Sequence, residues 1–171
     1  MKVNKLFGFT DVLQKYINLE KLYNRFDKGK IILAPPGSGK TTFVQNQTGE
    51  KRDWMDADDL CGELGVDWKS NISSDNERLS YLRADYILEQ TKLYGFNVIG
   101  SLFWDYYPDA IVVIELEVHK KYISKRPDLD YNNVMKIRKY LEHISEKNNI
   151  PLFITIEDAI NYINNNKIES I

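Results

Sequence analysis

The sequence predicts an α/β domain built on a five-stranded parallel sheet with helices on both faces. Three observations predict it. Short apolar runs alternate with helical stretches along most of the chain, the order that gives parallel strands joined by crossover helices. The first run, Ile31-Ile32-Leu33, leads through a loop rich in Pro and Gly into a helix. The second ends in acids, Asp56-Ala57-Asp58-Asp59, at the strand edge where ligands of open α/β sheets gather.

Each element follows from local pattern. Residues 10–26 read as a helix capped by Thr10, with Val12, Leu13, Tyr16, Ile17 and Leu19 falling broadly on one side. Residues 1–28 are therefore expected to be a helical extension ahead of a domain covering 29–171. The first strand is 31–33 and the first domain helix is 40–47, ended near Gly49. A second strand is expected at 53–56, and a helix from Asp58 or Asp59. Residues 65–74 read as loop. A long helix over 76–93 ends at Gly95, a residue suited to a helix C-terminus. Strands are expected at 97–99 and 110–114. A helix over 118–125 stops at Pro127, which cannot donate a backbone hydrogen bond and restrains the residue before it. A helix over 131–147, a strand over 151–154 and a helix over 157–163 complete the domain. The polar run Asn164–Asn166 reads as a helix end.

Bulk properties bound the function. The chain has 171 residues, one domain's worth, with 43% apolar and 28% charged residues as in ordinary globular proteins. A net charge of −2 lacks the basic excess of a non-specific nucleic-acid binder. Cys61 is the single cysteine, so no intramolecular disulfide forms, and His119 and His143 stand at no ligand spacing from it. No run approaches the roughly 18 apolar residues of a membrane span, and the start lacks a signal-peptide pattern. A cytoplasmic protein without membrane contact is expected, as monomer or homodimer.

The loop carries the strongest chemistry. Ala34-Pro35-Pro36-Gly37-Ser38-Gly39-Lys40-Thr41-Thr42 lies between strand and helix, the context in which a P-loop works. Small residues let successive backbone N–H groups turn toward phosphate oxygens, and the helix adds the positive end of its dipole. Pro36 to Thr42 are the candidate phosphate-binding residues. Lys40 supplies a charge for the β- and γ-phosphates and Thr41 a hydroxyl for Mg²⁺, so ATP with Mg²⁺ is the expected ligand. Ala34 stands where the usual first glycine would.

Other candidates carry two readings each. Asp56 suits an acceptor hydroxyl or a water on Mg²⁺, or it caps the next helix; Asp58 and Asp59 divide the same way. Lys121, Lys125 and Arg126 follow the fourth strand as a basic helix. They would neutralise phosphoryl charge, or simply form a solvated surface. Trp68, Phe103, Trp104, Tyr106 and Tyr107 would stack on a base or fill the core. Arg78 and Arg83 would meet an anionic acceptor or form surface ion pairs.

Together these residues resemble the small P-loop kinases of nucleosides, nucleoside monophosphates, shikimate and gluconate, over residues 29–163. The resemblance implies a P-loop NTPase three-layer sandwich and an ATP-dependent phosphotransferase. Asp56-Ala57-Asp58-Asp59-Leu60 is similar to the acceptor motif of the gluconate- and shikimate-type enzymes. Ser101 falls where those kinases line the acceptor pocket, and Val118–Arg126 resembles their lid. Ile154-Thr155-Ile156-Glu157 falls where the loop near adenine is expected. The third strand ends in Ser101 rather than an acid, and the acceptor motif of thymidylate kinases is absent. The implied roles are catalysis for Lys40, Asp56 and Arg126, and acceptor binding for Asp56, Asp58, Arg83 and Ser101. A nucleoside or nucleotide acceptor ranks first, a sugar-like metabolite second, and a nucleic-acid hydroxyl, as in polynucleotide kinases, third. The rival class is an ATPase or switch module with no small acceptor.

Overall fold

The computed structural model describes residues 29–47, 54–63, 84–88, 91–92, 95–101 and 108–166. The expected helix over 10–26, the loop over 65–74, Arg78, Arg83, Trp68 and the aromatics Phe103, Trp104, Tyr106 and Tyr107 lie outside them.

Five short strands form one parallel sheet: β1 (Ile31–Leu33), β2 (Trp54–Asp56), β3 (Asn97–Gly100), β4 (Ala110–Val112) and β5 (Leu152–Phe153), in the order β2-β3-β1-β4-β5. β1 is apolar at every position and wholly buried, which suits a central parallel strand covered on both faces. Its register fixes the top of the sheet: Leu33 sits beside Gly100 of β3 and Ile111 of β4. On the far side of β3, Asp56 sits beside Ile99.

Alternation along the strands divides the core into two layers. Ile31 and Leu33 join Met55, Val98, Ile111 and Val113 on one face. There they meet Leu60 of α2 (Ala57–Glu63), Leu88 of the helical residues 84–88, and Leu141 of α4 (Tyr131–Asn148). Ile32 joins Trp54, Ile99, Ala110 and Val112 on the other face. That face is covered by Val44 of α1 (Lys40–Asn46) and by Ile156, Ala159 and Ile163 of α5 (Ile156–Asn166). The result is the expected three layers.

Local chemistry sets the helix ends. Asp130 caps α4 by accepting the Asn133 N–H at 2.7 Å, and Asn149 closes it in the left-handed region at φ 53°. Val134, Ile137, Leu141 and Ile144 recur at helical spacing; Val134 is buried, and the other three pack into the core layer on the sheet. Thr155 caps α5: its hydroxyl accepts the Asp158 N–H at 3.1 Å and donates to the Asp158 carboxylate at 2.7 Å. α3 (Leu116–Ile123) starts two residues before the expected Val118 and ends short of Lys125. The backbone of Glu115 is extended, and its carbonyl accepts the His119 N–H at 2.8 Å, which opens the helix earlier.

Candidate functional site

The loop between β1 and α1 is built by two residues with positive φ, Gly37 at 81° and Gly39 at 86°. L side chains pay about 1–2 kcal/mol in that region, so glycine is the natural occupant. Gly39 is also the residue from which α1 springs. Ala34, at the former glycine position, is fully buried and donates its N–H to the Gly100 carbonyl at 2.8 Å. A small side chain is what that packed position admits.

Lys40 opens α1 and turns back into the loop. Its ammonium donates to the Ala34 and Pro35 carbonyls, each at 3.2 Å, and to Ser101 Oγ at 2.7 Å. The side chain is buried, and desolvation draws its pKa below the usual lysine value. Asp58 and Asp56 pull the other way, while Arg126 adds to the lowering. A cation held only by neutral oxygens, with two carboxylates at longer range, suits exchange of those oxygens for a phosphate.

Asp56 explains how distant chain segments meet here. Trp54 lies on the face covered by α1, and Asp56, two residues on, shares that face. α1 begins Lys40-Thr41, so the last residue of β2 meets the first turn of α1. The Thr41 hydroxyl donates to Asp56 Oδ2 at 2.7 Å. The other oxygen, Oδ1, accepts the Asp58 N–H at 3.0 Å and caps α2. One side chain, 3% exposed, therefore both caps α2 and binds the Thr41 hydroxyl.

Asp58 and Asp59 lie in the first turn of α2, which begins at Ala57, rather than at its cap. Asp58 keeps an exposed face beside the loop. Desolvation nevertheless pushes its carboxyl up, outweighing the pull of Lys40, and Asp56 adds to the push. Cys61, one turn on, is buried and its thiol is pushed up to about 12 by burial first, then by Asp58, Asp85 and Asp56.

A cavity of about 820 Å³ opens from the loop. Gly37, Ser38, Gly39 and Thr42 form one wall and Phe43, Asn46 and Gln47 continue it along α1. Ile114, Glu115, Val118, Tyr122 and Arg126 form the second wall, and residues 154–157 the third. This joins the loop to Ile154–Glu157, the stretch expected near a base. Ser38 Oγ, inside the loop, is buried without a hydrogen-bond partner among the described residues.

The basic residues after β4 separate. Arg126 lines the cavity while its guanidinium pairs with Asp128 at 2.7 and 2.9 Å, in an exposed position. Lys121 and Lys125 are exposed and do not line it.

One residue of the site carries no role in the sequence reading. His119 is fully buried beneath the loop, its Nε2 2.8 Å from the Pro36 carbonyl and its Nδ1 3.3 Å from Arg138 Nη1. Desolvation lowers its pKa, Arg138 and Lys40 lower it further, and the Pro36 carbonyl opposes them. A readable signal exists for Arg138, a charge on the apolar face that carries Val134 and Leu141.

The sheet order and the strand–loop–helix at its centre define an α/β architecture consistent with a P-loop or Rossmann-like fold. The sequence matches no protein-family model, and no curated protein is significantly similar to it.

Proposed function

We propose that this chain binds ATP with Mg²⁺ at the loop 34–41 and transfers the γ-phosphoryl group to a small hydroxyl acceptor, a nucleoside or nucleotide first. The observation that carries this reading is the pairing of Thr41 with Asp56 at 2.7 Å beside the buried Lys40. A hydroxyl and a carboxylate at the start of the helix are hard oxygen donors of the kind Mg²⁺ takes, directly or through water. The glycine cradle and the unpartnered Ser38 Oγ suit a polar, anionic ligand. Mg²⁺ held by Thr41 and Asp56 would neutralise charge on the phosphates.

The division of labour follows from which groups are already engaged. Both oxygens of Asp56 are used, one by Thr41 and one by the Asp58 N–H, so Asp56 serves the phosphate side. Asp58 is the neighbouring carboxylate with an open face and a raised pKa, properties that suit a group accepting the proton of an acceptor hydroxyl. Lys40 holds the β- and γ-phosphates, and Ser101, whose Oγ accepts a hydrogen bond from the ammonium, stays at hand to position it. Arg126 reaches the cavity from the turn just past α3 and supplies charge over the phosphates. Ile154, Ile156 and Phe43 offer apolar walls to a base. A family resemblance at Asp56–Leu60 supports a kinase over a simple nucleotidase.

An acid beside Thr41 also serves an ATPase or switch module, so the acceptor decides between the two. The test is ADP release from Mg·ATP with a panel of nucleosides, nucleoside monophosphates, sugar acids and short oligonucleotides. Release that depends on one acceptor class, and that Lys40→Ala and Asp58→Asn abolish, is the expected result. Release indifferent to every acceptor, and unchanged in Asp58→Asn, moves the assignment to an ATPase.

A further inference from the structure

His119 and Arg138 form a buried chain that ends on the phosphate loop. The guanidinium of Arg138 is anchored to the Ile114 carbonyl at 2.7 Å, just past β4, and to Glu142 at 3.1 Å. A guanidinium only donates, so the His119 Nδ1 that it faces at 3.3 Å must accept. The ring proton then sits on Nε2, which donates to the Pro36 carbonyl at 2.8 Å. The tautomer is thereby set by α4 and read out by the loop.

The next link is covalent geometry. Across a trans peptide the C=O and the following N–H point in opposite directions, and the described chain has no cis bond. A Pro36 carbonyl drawn inward to His119 therefore turns the Gly37 N–H away from His119. Gly37 lines the cavity. The loop rests on α3 at this residue: a Cβ on Gly37 would lie 3.3 Å from Ile123 Cγ1 and 3.6 Å from His119 Nε2.

We infer that His119 is a positioning residue for the phosphate loop, holding the Pro36 carbonyl inward so that the Gly37 N–H is presented to a phosphate oxygen, with Arg138 fixing the tautomer that does so. That the oxygen belongs to a nucleotide rests on the function proposed above; the strut itself does not, and it can be read without nucleotide. Glutamine and asparagine separate the two ends of the ring. The Gln amide nitrogen reaches the place of Nε2 and keeps a donor for Pro36. The Asn amide reaches only the place of Nδ1 and leaves that carbonyl without one.

The experiment is nuclear magnetic resonance on the full chain, wild type, His119→Gln and His119→Asn, followed by ATP titration of each. The imidazole nitrogens of wild type should report the Nε2–H form, and Arg138→Gln should release the ring into a mixture. In His119→Asn the Gly37 amide signal should move away from its wild-type position, because the Pro36 carbonyl of the same peptide unit loses its donor. In His119→Gln it should stay near the wild-type position. ATP affinity should fall in the same order. An Nδ1–H ring, or a Gly37 amide indifferent to His119→Asn in a folded variant, overturns the inference. If the Asn variant does not fold, the tautomer in wild type and in Arg138→Gln decides. Gly37 signals that respond as stated in a wild-type protein that binds no ATP overturn the nucleotide reading and uphold the strut.

Discussion

Replacing Asp56 by Asn separates its two duties. The carboxylate is 3% exposed and accepts two hydrogen bonds, from the Thr41 hydroxyl at 2.7 Å and from the Asp58 N–H at 3.0 Å. An Asn side chain keeps a carbonyl oxygen to cap α2. Its amide nitrogen can donate to Thr41 Oγ1, which turns from donor to acceptor. The loss is the ionic strengthening of these bonds, about 1–2 kcal/mol, a fall in Tm of roughly 2–8 °C for a chain of this size. Asp56→Ala removes both acceptors and the cap, at about 2–4 kcal/mol. Metal affinity should respond very differently. An uncharged amide is a poor partner for Mg²⁺ or its water, and loss of such a group costs roughly 10–100-fold. The assay is ATP titration in Mg²⁺ and in EDTA. Wild type should gain affinity with Mg²⁺, and Asp56→Asn should lose most of that gain while its affinity in EDTA holds or improves. A folded Asp56→Asn protein with the full Mg²⁺ gain refutes the assignment and leaves Asp56 as a helix cap only.

Three further outcomes follow. A Cβ at Gly29 would lie 1.8 Å from the Phe96 carbonyl oxygen, a backbone atom that cannot step aside; Gly29→Ala should cost about 3 kcal/mol or more in a urea melt, and a loss near zero would contradict the packing at the foot of β1. His119 is held neutral while the unfolded chain takes up its proton near pH 6.5. The unfolded state then binds more protons below that pH, so stability falls as the pH drops through it, and His119→Gln should flatten this part of the pH–stability curve; identical acid slopes would exclude His119 as their source. Cys61 is 1% exposed with its thiol pushed up to about 12, and it is the single cysteine. A thiol reagent at pH 8 should label the native protein only through opening of the core, in step with unfolding measured by circular dichroism; full labelling within the mixing time would contradict its burial.

Features set by neighbours in the chain were legible in the sequence. The strand–loop–helix around Lys40 is local: an apolar run, two glycines at positive φ and a helix start all lie within Ile31–Asn46. The parallel sheet with helices on both faces followed from the alternation of strands and helices. What depends on which strand lies beside which was not legible. The Thr41–Asp56 bond needs β2 to sit two places from β1 with the Trp54 face toward α1. The residue after β3 is Ser101, which accepts a hydrogen bond from the Lys40 ammonium, while the carboxylate beside Thr41 belongs to β2. His119 looked like part of a solvated basic helix, since its neighbours Lys120 and Lys121 are charged. It is packed between the loop at Pro36 and Gly37 and Arg138 of α4, which stands nineteen residues further along and meets it only in the folded state. The short α3 starts from its N-cap residue Glu115, three residues past the end of β4, a boundary that local propensity does not fix to the residue.

The proposed activity requires the loop 34–41 to hold the phosphates of a nucleotide. Calorimetric titration of ATP with Mg²⁺ into the wild-type chain and into Lys40→Ala measures this. Saturable binding at one site per chain, weakened at least roughly tenfold in a folded Lys40→Ala protein, is the result expected. No binding by wild type, or equal affinity in the variant, would contradict the account.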